Sequence, residues 1–246
     1  MDMASICASS SPFKIILGSS SPARRTILAD MGYEFTVVSA DIDEKAIRKD
    51  KPEELVKALA EAKAEAIKLK LHGDSAVDRN QNTLLITSDQ AWMFRFLVDS
   101  VLYVLVWMLT PPDHFRSVCM RVKVMVSKGM IRERPRSAEE AREFIKGYSD
   151  DRAFAVNFVL VTNLSTGDTK GGWDIPEIKF RHIPDEFIDR VVNQGDMTCV
   201  AGGLKLTDPS VLPYIQELVG TADSVRGLPR VLTEKLIRES LEAEAE

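Results

Sequence analysis

Along this chain short continuous apolar runs alternate with apolar stripes spaced three and four residues apart, the mark of β-strands interleaved with α-helices. Lys14 to Leu17 and Phe35 to Ser39 read as strands around a helix from about Pro22 to Met31 that Gly32 closes, so the chain opens as a βαβ unit. Pro52 to Leu71 sets Leu55, Leu59, Ala62, Ala66 and Leu69 on one stripe with lysines and glutamates around the rest. It predicts an amphipathic helix that His72-Gly73-Asp74 ends. Thr83 to Thr87 is uncharged and mostly apolar, the pattern of a buried parallel-sheet strand, and it delivers Ser88, Asp89 and Gln90 at its C-terminal end. Open α/β sheets hold their ligands at that edge.

The pattern breaks after Gln90. Ala91 to Leu109 is nineteen residues long and charged only at Arg95 and Asp99, which meets the length criterion for a membrane span. Each charge costs roughly 2.5 to 3.5 kcal/mol at the centre of a span, although their i, i+4 spacing lets them offset one another in part. A span here would also put the two halves of one sheet on opposite sides of a bilayer, so the expectation is no membrane crossing. A polar stretch, Thr110 to Lys123, follows with Pro111, Pro112, His114 and Cys119. Globular patterning then resumes. Val124 to Val126 and Met130-Ile131 suggest a hairpin around Ser127-Lys128-Gly129, and Ser137-Ala138-Glu139-Glu140 opens a capped helix to about Tyr148. Ala153 to Asn163 and Glu177 to His182 read as strands, and Pro184 to Asn193, Pro209 to Leu218 and Val231 to Leu241 as helices.

At 246 residues and 45% hydrophobic, the chain has enough apolar surface for one large α/β domain or two lobes. A net charge of −5 argues against a nucleic-acid polymer as partner, and Glu239 to Glu246 reads as a frayed acidic helix end. Cys7, Cys119 and Cys199 are odd in number, far apart and without metal-ligand spacing, which suits a reducing compartment. The first eleven residues lack the regions of a secretory signal, and the expected location is the cytoplasm.

The densest chemistry lies in Lys14 to Leu28, where a strand runs into Ser19-Ser20-Ser21, then Pro22, Arg24 and Arg25. Hydroxyls, closely spaced backbone N–H groups, a helix N-terminus and two guanidinium forks make a cradle for an anion. The same residues also suit an ordinary turn and N-cap with solvated arginines. No Gly-Lys-Ser/Thr follows, so this is not a P-loop. Asp41-Ile42-Asp43-Glu44 follows the second strand, Asp89 the third, and Arg134 precedes a helix. Carboxylates beside a phosphate cradle suggest Mg²⁺ or Mn²⁺ bridging phosphate oxygens. Taken alone, Asp41 to Glu44 reads as a solvated acidic loop, whereas Asp89 at a buried strand end does not.

These residues together resemble the Maf-like nucleoside triphosphate pyrophosphatases, the septum-formation-type family, over nearly the whole chain except about 91 to 123. Leu17-Gly18-Ser19-Ser20-Ser21-Pro22-Ala23-Arg24-Arg25 is similar to the family's first motif, Asp43-Glu44 to its acidic pair and Leu59-Ala60-Glu61-Ala62-Lys63-Ala64 to its helical lysine motif. Ser88-Asp89-Gln90 is similar to its catalytic aspartate motif, and Arg134-Pro135 stands where the family has Lys-Pro. Ala201-Gly202-Gly203 stands at a glycine-containing loop, and Val225-Arg226-Gly227-Leu228-Pro229 matches the closing signature.

The resemblance implies a two-lobed mixed sheet with flanking helices and a central cleft, formed as a single domain over 1–246 that an atypical apolar insert interrupts. It also implies hydrolysis of a nucleoside triphosphate to a monophosphate and diphosphate, in the manner of a house-cleaning enzyme of nucleotide pools. Asp89 would then be catalytic and, with Glu44, a ligand of Mg²⁺ or Mn²⁺, while Ser19, Arg24, Lys63 and Arg134 would bind the triphosphate. Ala23 and Gln90 fall where the branches of the family differ and are the specificity candidates; with Phe180-Arg181-His182 they resemble the 7-methyl-GTP branch more than the dTTP/UTP branch. A homodimer is implied by the resemblance alone.

Arg134 replaces a compact ammonium with a planar fork, and the loop from Ala201 to Asp208 departs from both branches. Joining Gln90 to Val124 would restore a family-like strand and hairpin, so residues 91–123 read as an unspliced or misannotated segment rather than an evolved module. Either Ala91 to Val98 continues the strand and the rest bulges out, or exposed Trp92, Phe94, Phe96, Leu97, Val101 and Leu102 disorder the site. The competing classes are a catalytically impaired isoform or a non-catalytic nucleotide-binding protein of growth or division control, with a membrane-anchored variant third.

Overall fold

In the computed structural model, which describes residues 13–71, 82–94, 130–132, 135–195, 201–206 and 208–242, the patterned segments build one eight-stranded mixed sheet with helices on both faces. In chain order the elements are β1 (Phe13–Leu17), α1 (Pro22–Asp30), β2 (Phe35–Val37), α2 (Pro52–Leu71), β3 (Asn82–Phe94), β4 (Met130–Arg132) and α3 (Ala138–Lys146). They continue as β5 (Arg152–Asn163), β6 (Thr169–Asp174), β7 (Glu177–Phe180), α4 (Asp185–Asn193), β8 (Ile215–Val219), α5 (Ala222–Val225) and α6 (Arg230–Glu242). β1 pairs in parallel with β2 and β3, and β3 pairs antiparallel with β5. The sheet path is β2-β1-β3-β5-β7-β8, with β4 beside β3 and β6 beside β5.

Alternation along the strands sorts the core by face. Ile15, Leu17, Leu84, Ile86, Val159 and Val161 pack under α1 and α6, while Ile16, Leu85, Phe158 and Leu160 pack under α2. A separate cluster holds Trp92, Ala153, Ala155, Ile178 and Phe180 against α3 and α4. β3, with 13 residues, and β5, with 12, are long enough to run from one cluster into the other, so two lobes share two strands.

The α2 stripe read from spacing is buried only in part: Leu55 and Leu59 turn inward, Ala62 and Ala66 are half-buried and Leu69 is 74% exposed. The inward face also takes in Val56, Ala60, Lys63, Ala64 and Ile67. A helix rich in leucine and alanine offers two overlapping stripes that share Leu55 and Leu59. The sheet selects the one that packs Val56 and Ile67 and lets Thr87 Oγ1 donate to Ala60 O at 2.9 Å.

β3 does not stop at Gln90. Ala91, Trp92, Met93 and Phe94 continue it, opposite Val156, Ala155, Phe154 and Ala153 of β5 and with Trp92 to Phe94 also beside β4. Trp92 is buried at 7% exposure, so of the two fates expected for these residues the strand continuation is the one observed. Residues 95–129 lie outside the described residues, and with them the rest of the apolar segment and Val124 to Gly129 of the expected hairpin. Among the described residues no helix is long and apolar enough to cross a membrane. Because Trp92 fills the second lobe's core, Trp92→Ala is expected to cost about 3 to 5 kcal/mol in denaturant unfolding. A loss under about 1 kcal/mol would contradict its place in that core.

Two elements escaped the pattern. β6 reads Thr-Lys-Gly-Gly-Trp-Asp, with no apolar alternation. Its glycines are there for close approach, since a Cβ on Gly171 would lie 2.6 Å from Phe158 Cζ and one on Gly172 would lie 2.8 Å from Leu232 Cδ1. The helix expected over Pro209 to Leu218 is instead a single 3₁₀ turn, Leu212–Tyr214, followed by β8. Pro213 cannot donate within a helix, and β7 offers Ile215 to Val219 an antiparallel partner at the sheet edge.

Candidate active site

Gly18 carries the chain from β1 tightly past α2 and β3. A Cβ there would lie 2.6 Å from Ile67 Cδ1 and 2.7 Å from Thr87 Cγ2, so a side chain does not fit. In the turn that follows, Ser19 Oγ accepts the Ser21 N–H at 3.2 Å, and Pro22 begins α1 without an N–H to orphan.

From the first turn of α1, Arg24 reaches back under this turn. It is 9% exposed, donating from Nε to Gly227 O at 2.9 Å and from Nη1 to Ser88 O at 2.8 Å, with Ser19 Oγ at 3.4 Å. One guanidinium thereby ties the serine turn, β3 and the turn between α5 and α6 together. Burial pulls its pKa below the ordinary arginine value, and the carboxylates of Asp89 and Glu44 pull it back up; it stays a cation.

Along β3, Asp89 faces α2 while Ser88 and Gln90 face α5, because successive side chains alternate. Asp89 Oδ1 accepts its neighbour's Gln90 N–H at 2.7 Å, and Oδ2 lies 3.2 Å from Lys63 Nζ. The same ammonium lies 2.8 Å from Glu44 Oε1. Glu44 stands half-exposed on a 3₁₀ turn, Glu44–Ala46, which Asp43 caps by accepting the Lys45 N–H at 3.0 Å.

On the other face, Ser88 Oγ donates to Gly227 O at 3.0 Å. Gln90 Nε2 donates to Asn157 Oδ1 at 2.9 Å, to Val225 O at 3.0 Å and to Ser224 O at 3.3 Å. Asn157 Nδ2 donates to Ser224 O at 2.9 Å and to Asp174 Oδ2 at 3.3 Å. Gln90, Asn157 and Asp174 form one row across β3, β5 and β6. Gly227 takes φ +94 there, and a Cβ on it would come within 3.2 Å of Arg24 Nε.

Of the residues singled out by sequence, Ser19, Arg24, Lys63, Asp89, Glu44 and Gln90 are brought together. Ala23 is half-buried in the first turn of α1, and Arg25 is exposed. Arg134 lies outside the described residues. Asp41 pairs with Lys70, and hydrogen bonds from Lys70 and Ser39 hold its carboxyl below the usual range; the solvated reading suits it. Gly202 packs against Trp92 and Tyr148, whose hydroxyl donates to its carbonyl at 2.7 Å. Sequence reasoning placed Ser88 in the aspartate motif without a role of its own and missed Asn157, Asp174 and Ser224. Their one signal was the Val225-to-Pro229 motif, whose carbonyl-rich turn demands buried donors from somewhere.

The donor set fits a divalent cation. Two carboxylate oxygens from separate elements converge on a single positive centre, the Lys63 ammonium, and among the described residues no third acidic, histidine or cysteine ligand joins them. Mg²⁺ and Mn²⁺ are commonly held this way, by one or two carboxylates with phosphate oxygens completing the shell.

The family described as Maf-like protein matches residues 14–240, from β1 to the last helix. The chain belongs to the Maf family. Among its relatives, a 7-methyl-GTP pyrophosphatase of Dictyostelium discoideum is 35% identical over 223 residues, covering 91% of this chain and 95% of the relative. A 7-methyl-GTP pyrophosphatase of Pseudomonas syringae is 27% identical over 228 residues, 92% of this chain and 97% of that one. A dTTP/UTP pyrophosphatase of Alkaliphilus metalliredigens is 24% identical over 216 residues, 88% and 90% of the two. In this Maf-family chain the matched span takes in both walls of the site, the serine turn and the Gly227 turn.

Proposed function

We propose that the protein hydrolyses a nucleoside triphosphate between its α and β phosphates, releasing a nucleoside monophosphate and diphosphate. The observation that carries this reading is the convergence of Glu44, Lys63 and Asp89 beside buried Ser19 and Arg24. Asp89 has Oδ1 committed to a backbone N–H, and Oδ2, which Lys63 holds at 3.2 Å, is the oxygen that would take the proton of an attacking water once the ammonium turns to the triphosphate. Glu44 and Asp89 would hold Mg²⁺ or Mn²⁺, which supplies charge neutralisation at the phosphates and lowers the pKa of a bound water. Ser19, Lys63 and Arg134 bind the triphosphate and oppose the charge that grows on it in the transition state. Arg24 contributes its positive field and fixes the turn, since Nε and Nη1 are already committed to protein oxygens.

For the base, a 7-methylated guanine is preferred over uracil or thymine on the strength of the 35% relative. Gln90 has its amide N–H groups turned to Asn157 and the α5 carbonyls, so its Oε1 is the acceptor offered to a ligand. Guanine presents two N–H-bearing nitrogens on one edge and is suited to such an acceptor. Ala23, the other specificity candidate, stands half-buried in the first turn of α1. A cytoplasmic location rests on the scattered cysteines, and a homodimer rests on the family resemblance.

Pyrophosphate release with Mn²⁺ or Mg²⁺ from UTP, dTTP, CTP, GTP and 7-methyl-GTP tests the reading, in the full chain and in one lacking residues 91–123. Release is expected from the full chain, with 7-methyl-GTP the best substrate. A folded protein inert on all five nucleotides in both forms would leave a non-catalytic nucleotide binder as the remaining class.

A further inference from the structure

Lys63 occupies the point on which the two carboxylates converge. Its Nζ is 2.8 Å from Glu44 Oε1 and 3.2 Å from Asp89 Oδ2, while the side chain itself is 11% exposed on the inward stripe of α2. An ammonium buried in this way is held by both negative charges, and each carboxylate in turn has a cation in direct contact. A free divalent ion approaching the pair meets a like charge at contact distance, where repulsion is strongest. A triphosphate changes the balance, because its oxygens offer the ammonium another anionic partner and offer the metal additional ligands.

We propose that Lys63 acts as an internal cation that closes the metal position until a triphosphate draws it away, so that the site takes the metal–nucleotide complex rather than binding metal first. This rests on the reading of Glu44 and Asp89 as metal ligands given above. Metal and nucleotide then bind with positive coupling, and the coupling is reciprocal. Removing the ammonium opens the position to free metal, whereas exchanging it for another cation keeps the position closed.

The test is Mn²⁺ binding to the full chain, followed by paramagnetic resonance of free Mn²⁺, without nucleotide and with a non-hydrolysable α,β-methylene GTP. Without nucleotide, Lys63→Gln is expected to bind Mn²⁺ at least about 10-fold more tightly than the unaltered chain, a change expected from deleting one charge at contact distance. Lys63→Arg is expected to bind it as weakly as the unaltered chain. The melting temperature of Lys63→Gln should fall without metal, and Mn²⁺ should raise it more than it raises that of the unaltered chain. If Lys63→Gln does not fold, Lys63→Met replaces it as the charge-deleted variant.

Equal Mn²⁺ affinity in the charge-deleted variant and the unaltered chain overturns the inference, as does tight binding by Lys63→Arg. If pyrophosphate is still released by the unaltered chain in that case, the pyrophosphatase reading stands without it. Unchanged Mn²⁺ binding in the Lys63→Gln, Glu44→Gln double variant overturns the ligand assignment, and the inference falls with it.

Discussion

Asp89→Asn is expected to lower kcat for pyrophosphate release by about 10²- to 10⁴-fold, the range associated with a positioned general base, while nucleotide affinity stays within a few-fold. The substitution keeps the shape of the side chain and leaves an Oδ1 to accept the Gln90 N–H. It replaces Oδ2 with an amide that can neither take a proton from water nor carry charge. Lys63 retains Glu44 at 2.8 Å as its counter-ion, so the ammonium is not stranded in the interior. Stopped assays of pyrophosphate beside calorimetric nucleotide binding separate turnover from affinity. Activity within a few-fold of the unaltered chain would remove Asp89 from the chemistry.

Arg24→Ala is expected to cost as much stability as emptying the core at Trp92. It deletes the donor from Gly227 O and Ser88 O, which lie on elements far apart in sequence, and withdraws a buried cation from the neighbourhood of Asp89 and Glu44. Breaking a buried charged contact from one side costs about 3 to 5 kcal/mol. For a chain of this size that corresponds to a fall in melting temperature of about 6 to 20 °C. Arg24→Lys recovers only part of it, since an ammonium lacks the planar fork that reaches two carbonyls in different directions. Thermal unfolding followed by fluorescence is sufficient to check it. A shift below about 2 °C would mean that the Gly227 turn is held in place by other contacts, chiefly the Ser88 hydroxyl and Gln90.

Lys63 illustrates how far the candidate site was legible before folding. Its residue type within a helical motif suggested a phosphate partner, but the apolar stripe of α2 counts only apolar residues and so could not place a lysine indoors. Burial of a lysine is affordable only where counter-charges wait, and those counter-charges come from Glu44 and Asp89 on other elements. Gln90 shows the same limit. Its motif position marks it as a specificity candidate, and its amide donors are turned to Asn157 and to carbonyls more than 130 residues further along the chain. No local pattern anticipates such partners. The row of Gln90, Asn157 and Asp174 exists because the register of β3, β5 and β6 aligns them.

What the sequence by itself determined is the set of local choices: a βαβ opening, a serine turn ending in Pro22 and two arginines, a long amphipathic α2, a buried strand bearing Asp89, and the ordered motifs by which the family is recognised. These follow from backbone propensity, turn chemistry and apolar periodicity, which act over a few residues. Tertiary structure alone decided that Ala91 to Phe94 extend β3, that the glycine-bearing β6 and the proline-preceded Ile215 to Val219 become strands, and which face of α2 turns inward. Each of those outcomes depends on a partner distant in sequence, a neighbouring strand's hydrogen-bonding edge or a facing apolar surface, so the energy that selects it appears only when the sheet is assembled.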